Sequence, residues 1–249
     1  MQAAHENKTA LVTGASGDIG LAIVEKLLSL GCTVFATYQR NRATLDALVK
    51  EHPYGNALHI SSCDVTDTDD VQRLLGRTAG HASKLDILVN NAGLNKDAVF
   101  QQMTWDEFDQ VIKTNLYGTF HVTQASMRLL RAAKQASVIN LSSVAGLAGS
   151  AGQTNYSAAK AAIGGLTRSL ARELSTKGIR VNAVAPGLVD SAMVKRVPRN
   201  LVRQALDAIA VKRLGAVQEV ANVVAFLAGD EASYIIGQTI AVDGGLVLR

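Results

Sequence analysis

Short apolar, β-rich runs alternate with helical patterns almost from one end of this chain to the other, and that alternation constrains the fold more than any other feature. Ala10–Val12 reads as a buried strand and runs into a glycine-rich turn. Leu21, Ile23, Val24, Leu27 and Leu28 then recur at helical spacing until Gly31 stops them. Further strands are expected at Thr33–Tyr38, Ala57–Ser61, Ile87–Val89, Val138–Leu141, Arg180–Ala185 and Thr239–Val242. Between them, residues 43–51 (ended by Pro53), 68–75, 105–112, 119–130, 155–174 and 217–227 carry helical patterns. Strands that alternate with helices build βαβ units, and a parallel sheet made this way needs both faces covered. No linker or repeat interrupts the pattern. The expected architecture is therefore α/β: one domain over residues 1–249, a doubly wound parallel sheet of about seven strands with helices on both faces.

Composition narrows the functional classes. With 48% hydrophobic and 18% charged residues, a chain of 249 has ample material for a buried core. Three Pro leave no room for long extended linkers. Two Cys, Cys32 and Cys63, cannot form a disulfide framework, which fits a reducing compartment such as the cytoplasm. The opening MQAAHENK has no apolar stretch of a secretory signal, and no uncharged apolar run of about 18 residues suggests a membrane span. The five His are scattered and none pairs with Cys or a carboxylate at ligand spacing, so no metal site is expected. The formal charge of +4 hides an uneven distribution: Ser126 to Arg213 holds 14 Lys/Arg and 3 Asp/Glu. That half suits an anionic partner, although solvated helix faces would look the same. With aromatics at 4% and no interleaved motif, nucleic acid is not the expected partner.

Several motifs carry chemistry. Thr13-Gly14-Ala15-Ser16-Gly17-Asp18-Ile19-Gly20 follows a strand and opens a helix, where glycines let the backbone approach a pyrophosphate at the helix N-terminus. Asn90-Asn91-Ala92-Gly93 ends the fourth strand, where ligands lie in such a sheet; by itself it reads more readily as an ordinary Asn/Gly turn. Tyr156 and Lys160 lie four apart, which in a helix puts phenol and ammonium on one face. A nearby ammonium favours phenolate and would lower the tyrosine pKa. Ser142-Ser143 ends the fifth strand, and a flexible Gly/Ala/Ser loop, Val144–Thr154, could bring a hydroxyl back against the phenol.

Together with Asn115 and Pro186-Gly187, these motifs stand in the order and spacing of the short-chain dehydrogenase/reductases, and the resemblance covers essentially the whole chain. Within that family the chain looks most like the 3-oxoacyl-[acyl-carrier-protein] reductases. The resemblance implies a Rossmann sheet and four catalytic residues. Tyr156 would protonate a ketone oxygen, Ser143 would polarise the carbonyl, and Lys160 would hold the nicotinamide ribose and depress the tyrosine pKa. Asn115 would bend its helix and hold a water in a relay to Lys160. It also implies a cofactor cleft of Gly14, Ser16, Gly17, Asp18, Ile19, Gly20, Asn91, Ala92, Gly93, Tyr156 and Lys160. Asp64 and Val65 would lie at the adenine, and Pro186, Gly187, Val189 and Ser191 at the nicotinamide.

Two departures bear on the cofactor. The family turn usually has glycine where Asp18 stands. A carboxylate beside a pyrophosphate is unfavourable unless it points away, which Asp18 is expected to do with cofactor binding preserved, and it could also cap the helix. At the end of the second strand Tyr38 occupies the usual acidic position, followed by Arg40 and Arg42, whose guanidinium groups suit a 2′-phosphate. NADP(H) is the expected cofactor.

The expected activity is NADPH-dependent reduction of a 3-oxoacyl thioester, borne on an acyl carrier protein, in fatty acid or polyketide-type synthesis. Reduction of a free ketone or acyl-CoA, and a non-catalytic partner subunit, remain alternatives. Residues 190–213 would cover the substrate, with Met193, Val194, Val197, Leu201, Val202, Leu206 and Ile209 set among Lys195, Arg196, Arg199 and Arg203. Lys134 and Lys177 align with residues that face the acidic carrier, and the motifs place the site at the mouth of the basic half. The family also implies a homotetramer through the helices around 104–133 and 155–175.

Overall fold

In a computed structural model of the protein, residues 5–192, 194 and 199–248 are described, the side chains of residues 199–201 and 205 excepted. The expected covering residues Met193, Lys195, Arg196 and Val197 lie outside the described residues, as do the side chains of Arg199 and Leu201. Seven strands form one parallel sheet: β1 (Thr9–Val12), β2 (Thr33–Tyr38), β3 (Leu58–Ser62), β4 (Ile87–Asn90), β5 (Ala136–Leu141), β6 (Ile179–Pro186) and β7 (Thr239–Val242). Their order is β3-β2-β1-β4-β5-β6-β7. The order reverses between β1 and β4, where a doubly wound sheet opens a crevice at its carboxyl edge.

The strands at the centre are buried on both faces, so they are apolar runs rather than alternating ones. On one face lie α1 (Asp18–Ser29), α2 (Ala43–Glu51) and a helix at Val217–Ala228; Ile23, Val24, Leu27 and Leu28 of α1 pack there with Val220, Val224 and Leu227. On the other lie α3 (Thr68–His81), α4 (Trp105–Ile112), α5 (Gly118–Ala132), α6 (Val144–Ala148) and α7 (Thr154–Leu174); Leu74, Val122, Leu129 and Leu174 cover Leu11, Leu88 and Val138. Residues 199–208 form α8, and Val217–Ala228 is α9. Each fully buried Leu, Ile or Val contributes about 1.5–3 kcal/mol over its exposed state.

Caps set the helix starts. Asp67 accepts from the amides of Asp69 and Asp70 at the head of α3, and Thr104 and Glu107 form a reciprocal capping box on α4. Two segments take forms the motifs did not specify, the first of them at the bend expected around Asn115. Lys113–Tyr117, between α4 and α5, is a π-helix. Val144–Ala148 is not loop but helix, because Ser143 at its N-cap accepts from the Ala145 amide and fixes the first turn.

Candidate active site

The glycine-rich turn joins β1 to α1 and is pressed into the loop after β4. Gly14 has φ +61°, and a Cβ on it would stand 2.7 Å from the Ala92 Cα. A Cβ on Gly20 would stand 2.5 Å from the Gly14 carbonyl and 2.7 Å from Asn91 Nδ2. Gly17 is looser: its Cβ would meet nothing nearer than the Gly14 carbonyl at 3.6 Å. The Asn91 amide donates to the carbonyls of Thr13 (3.0 Å) and Gly14 (2.9 Å), while Thr13 Oγ1 accepts from the amides of Asn91 and Ala92. The motif after β4 is thus a brace for the turn.

Gly17 is the N-cap of α1 and offers no side-chain cap to the amides of Asp18, Ile19 and Gly20; Leu21 is bonded back to Gly17. Orphan amides at the head of a twelve-residue helix, with backbone close on both sides, fit a pyrophosphate. Asp18 does not take the expected capping role. It is the first residue of the helix rather than its cap, and its Oδ2 accepts from the Ala192 amide at 2.6 Å. Ser16 is half-buried, and its carbonyl accepts from Thr44 Oγ1.

At the ends of β2 and β3, the two arginines part company. Arg42 is the N-cap residue of α2 and pairs with Asp46 at 2.8 Å, which raises its pKa. Arg40 is exposed and makes no ion pair among the described residues. Asp64 Oδ1 accepts from Thr66 and Oδ2 from Gln39 (2.7 Å). Burial works against its charge, but those hydrogen bonds outweigh it and hold the carboxyl below its ordinary value. Val65 is buried, its Cγ2 standing where a Cβ on Gly118 of α5 would fall.

Beyond β6, the Gly187 amide donates to the Val242 carbonyl, and a Cβ on Gly187 would sit 2.7 Å from the Asp243 Cβ. Val189 and Ser191 are buried, and Val189 pairs with Gly215 in an isolated parallel bridge.

Ser143, Tyr156 and Lys160 converge at the carboxyl end of β5. Lys160 is 4% exposed and donates to the Leu141 carbonyl at 2.7 Å, with Nζ 5.6 Å from the Tyr156 ring centroid. Burial pushes the Lys160 ammonium down to about 8. Tyr156 differs from the expected depression by lysine. Burial raises its pKa, a hydrogen bond with Ser143 pulls it back, and the charge of Asp97 raises it again. Ser142 is not aimed at the phenol; its hydroxyl donates to the Lys160 carbonyl.

Asn115 lies in the π-helical segment, where the extra residue per turn turns its side chain inward. Its Nδ2 donates to the carbonyls of Leu94 and Val111. Its Oδ1 is buried without a partner among the described residues. A Cβ on Gly93 would lie 2.5 Å from that oxygen and 3.5 Å from Lys160 Nζ, so both groups bound the same small space.

A polar network behind the site was not singled out from sequence. Asn90 Nδ2 donates to Asn140 Oδ1 and Thr123 Oγ1, and Asn140 Nδ2 donates to Thr167 Oγ1. Asn90 and Asn140 are register partners in apolar strands. A buried amide in such a run must find partners, which was the available signal.

Lys134 and Lys177 are exposed and stand close together, since Gly178 packs on the Lys134 carbonyl. They precede β5 and β6, at the amino edge of the sheet. The reacting groups follow β5 at the carboxyl edge. A six-residue strand separates the two, about 20 Å. These two lysines are therefore not at the mouth of the site.

No helix among the described residues is long and apolar enough to cross a membrane. The family model described as enoyl-(acyl carrier protein) reductase matches residues 14–247. The chain is 40% identical over 244 residues to the 3-oxoacyl-[acyl-carrier-protein] reductase FabG of Thermotoga maritima, covering 98% of this chain and 99% of that one. It is 42% identical over 242 residues to the protein of the same name from Staphylococcus aureus (97% and 98%), and 40% identical over 245 to that of Vibrio harveyi (98% of each). With near end-to-end matches of this kind and a parallel seven-stranded sheet, the chain belongs to the short-chain dehydrogenase/reductase family.

Proposed function

We propose that the protein reduces the ketone of a 3-oxoacyl thioester carried on an acyl carrier protein, using NADPH. The convergence of Ser143, Tyr156 and Lys160 at the end of β5 carries this reading, together with full-length relatives named for that activity. When bound, the nicotinamide supplies hydride to the carbonyl carbon. Tyr156 donates the proton to the ketone oxygen, and its raised pKa keeps the phenol protonated until that charge develops. Ser143 hydrogen-bonds the same oxygen and polarises it. Lys160, fixed by the Leu141 carbonyl, holds the nicotinamide ribose. Asn115 Oδ1 and Lys160 Nζ share a space suited to a water that restores the tyrosine proton.

Residues present fit the dinucleotide. Gly14, Ser16, Gly17, Ile19 and Gly20 would hold the pyrophosphate against the α1 amides. Asp64 and Val65 would border the adenine, Asn91, Ala92 and Gly93 the ribose side, and Pro186, Gly187, Val189 and Ser191 the nicotinamide. Arg40, exposed and without an ion pair among the described residues, suits the 2′-phosphate better than Arg42, which Asp46 already engages.

The carrier's acidic surface would meet the basic face that includes Lys134 and Lys177. That face lies at the far edge of the sheet, about 20 Å from the reacting groups, so docking there would hold the carrier on the chain without itself placing the acyl group at this site. Exposed Trp105, Tyr117 and Phe120 along α4, the π segment and α5 suit burial in a homotetramer.

One panel tests the reading: NADPH and NADH consumption with carrier-bound 3-oxoacyl, CoA-bound 3-oxoacyl, free ketone and 2-enoyl thioester substrates. Carrier-bound ketone with NADPH is expected to give the highest kcat/KM. Preference for the enoyl thioester, or equal use of NADH, would overturn the substrate or the cofactor assignment respectively.

A further inference from the structure

We propose that Asp18 is a positioning residue, whose carboxylate latches the segment after β6 onto the head of α1 across the mouth of the crevice. The inference rests on reading that crevice as the dinucleotide site. Asp18 and Ala192 are 174 residues apart and are joined by a 2.6 Å hydrogen bond from the Ala192 amide to Asp18 Oδ2. Asp18 follows β1, and Ala192 follows β6. Those strands are separated by β4 and β5, so the span is three inter-strand spacings, about 14 Å. The bond closes that span at the carboxyl edge of the sheet, and its Asp18 end lies beside the place where strand order reverses.

The segment is fixed at its root and held at its far part by different contacts. At the root, the Gly187 amide donates to Val242, the Gly215 amide donates to the Leu188 carbonyl, and the Asp190 amide donates to the Gly215 carbonyl. Beyond Ser191, the bond to Asp18 ties the chain to the opposite wall. A glycine at position 18 has no atom with which to make it.

The charge has a second consequence. In the first turn of α1 a carboxylate is favoured by the helix dipole, and its bond to an amide is charge-assisted. A pyrophosphate on the neighbouring α1 amides would be repelled by the same carboxylate. Both Asp18 and Ala192 are exposed, so water competes for the bond and the latch can open. Holding Ala192 against the head of α1 and limiting anion affinity are thus two effects of one group, and an asparagine separates them. It keeps an acceptor oxygen and loses the charge.

The test uses the whole protein with three side chains at position 18: wild type, Asp18→Asn and Asp18→Gly. Amide exchange at Ala192, followed by NMR without cofactor, reads the latch. Binding of NADPH, followed by its fluorescence, reads the charge. Exchange at Ala192 is expected to rise about tenfold in Asp18→Gly and to be largely restored in Asp18→Asn. NADPH is expected to bind Asp18→Asn several-fold more tightly than wild type, and to dissociate faster from Asp18→Gly than from Asp18→Asn. Unchanged exchange at Ala192 in Asp18→Gly overturns the latch, and so does failure of asparagine to restore it. If no variant binds NADPH or NADH, the reading of the crevice fails instead, while the exchange result still decides the latch.

Discussion

Gly93 and Asn115 are in such close register that a Cβ on the glycine would stand 2.5 Å from the Asn115 Oδ1. The Asn115 side chain cannot retreat easily, because its Nδ2 is held by Leu94 and Val111 and it is wholly buried. Gly93→Ala is therefore expected to cost about 1–3 kcal/mol in overpacking, read as a lower urea midpoint. Its kcat is expected to fall more than a stability loss accounts for, since the space shared with Lys160 Nζ is filled. Wild-type kcat in a folded variant would count against that space serving the reaction.

Ser143 has two attachments, the phenol of Tyr156 and the Ala145 amide. Ser143→Ala is expected to lose about 1 kcal/mol with the α6 cap and to raise the Tyr156 pKa further, because the bond that lowers it is gone. Tyr156→Phe removes the proton donor and is expected to lower kcat by roughly 10²–10⁴-fold, with an unchanged circular dichroism spectrum. A fully active Tyr156→Phe would sink the mechanism.

Lys160 makes stability depend on pH in a defined window. Its ammonium titrates near 8 in the folded chain and at 10.5 in the unfolded one. Below pH 8 both states hold the proton and the burial of charge is a standing cost. Between about 8 and 10.5 the unfolded state binds more protons, so stability rises with pH there. From pH 7 to 9 the gain amounts to about 1.4 kcal/mol. Urea melts of the cofactor-free protein at those two pH values are expected to show it relative to Lys160→Met, which cannot titrate. Parallel pH dependence in both proteins would mean that Lys160 is more hydrated than its burial indicates.

Gly17 and Gly20 look alike in the sequence and differ in the fold. Gly17→Ala meets only ordinary contact, so its melting temperature is expected to stay close to wild type. Gly20→Ala drives a Cβ into the Gly14 carbonyl and the Asn91 amide. It is expected to lose both stability and cofactor affinity. Equal behaviour of the two variants would show that the turn adapts.

Strand periodicity and glycine placement made the sheet legible, and β2, α2, α4 and β7 fall on their expected bounds. These elements are bounded by local signals such as Pro53 and the Thr104 cap. The family resemblance indicated a bend at Asn115 but not its π-helical form, and α6 was not legible; each depends on tertiary partners, Asn115 on Leu94 and the α6 start on a Ser143 cap inside a Gly/Ala-rich run. Motif spacing indicated which residues meet at the end of β5, but not the electrostatics there. Spacing suggested that Lys160 governs the phenol, whereas burial and Ser143 do so in the folded chain. The basic half was visible as a count. Which edge of the sheet Lys134 and Lys177 lie on was not, because charge along a sequence carries no information about strand direction.

Asp97 extends that electrostatic argument outward. Gln153 Nε2 donates to both of its carboxylate oxygens at 3.1 Å, and Asn95 donates to Oδ1, so the charge is held facing the active-site wall. Its field raises the Tyr156 pKa, after burial and against Ser143. An anion near the phenol disfavours phenolate and keeps the proton donor loaded as pH rises. In Asp97→Asn that opposition is removed, the phenol pKa drops, and the alkaline limb of kcat for ketone reduction is expected to move to lower pH. Gln153→Ala frees the carboxylate without removing it and is expected to shift the limb less. The measurement is kcat against pH for the three proteins at saturating substrate and cofactor. A limb that stays in place in Asp97→Asn would show that the charge is screened from the phenol, leaving burial and Ser143 to set its protonation.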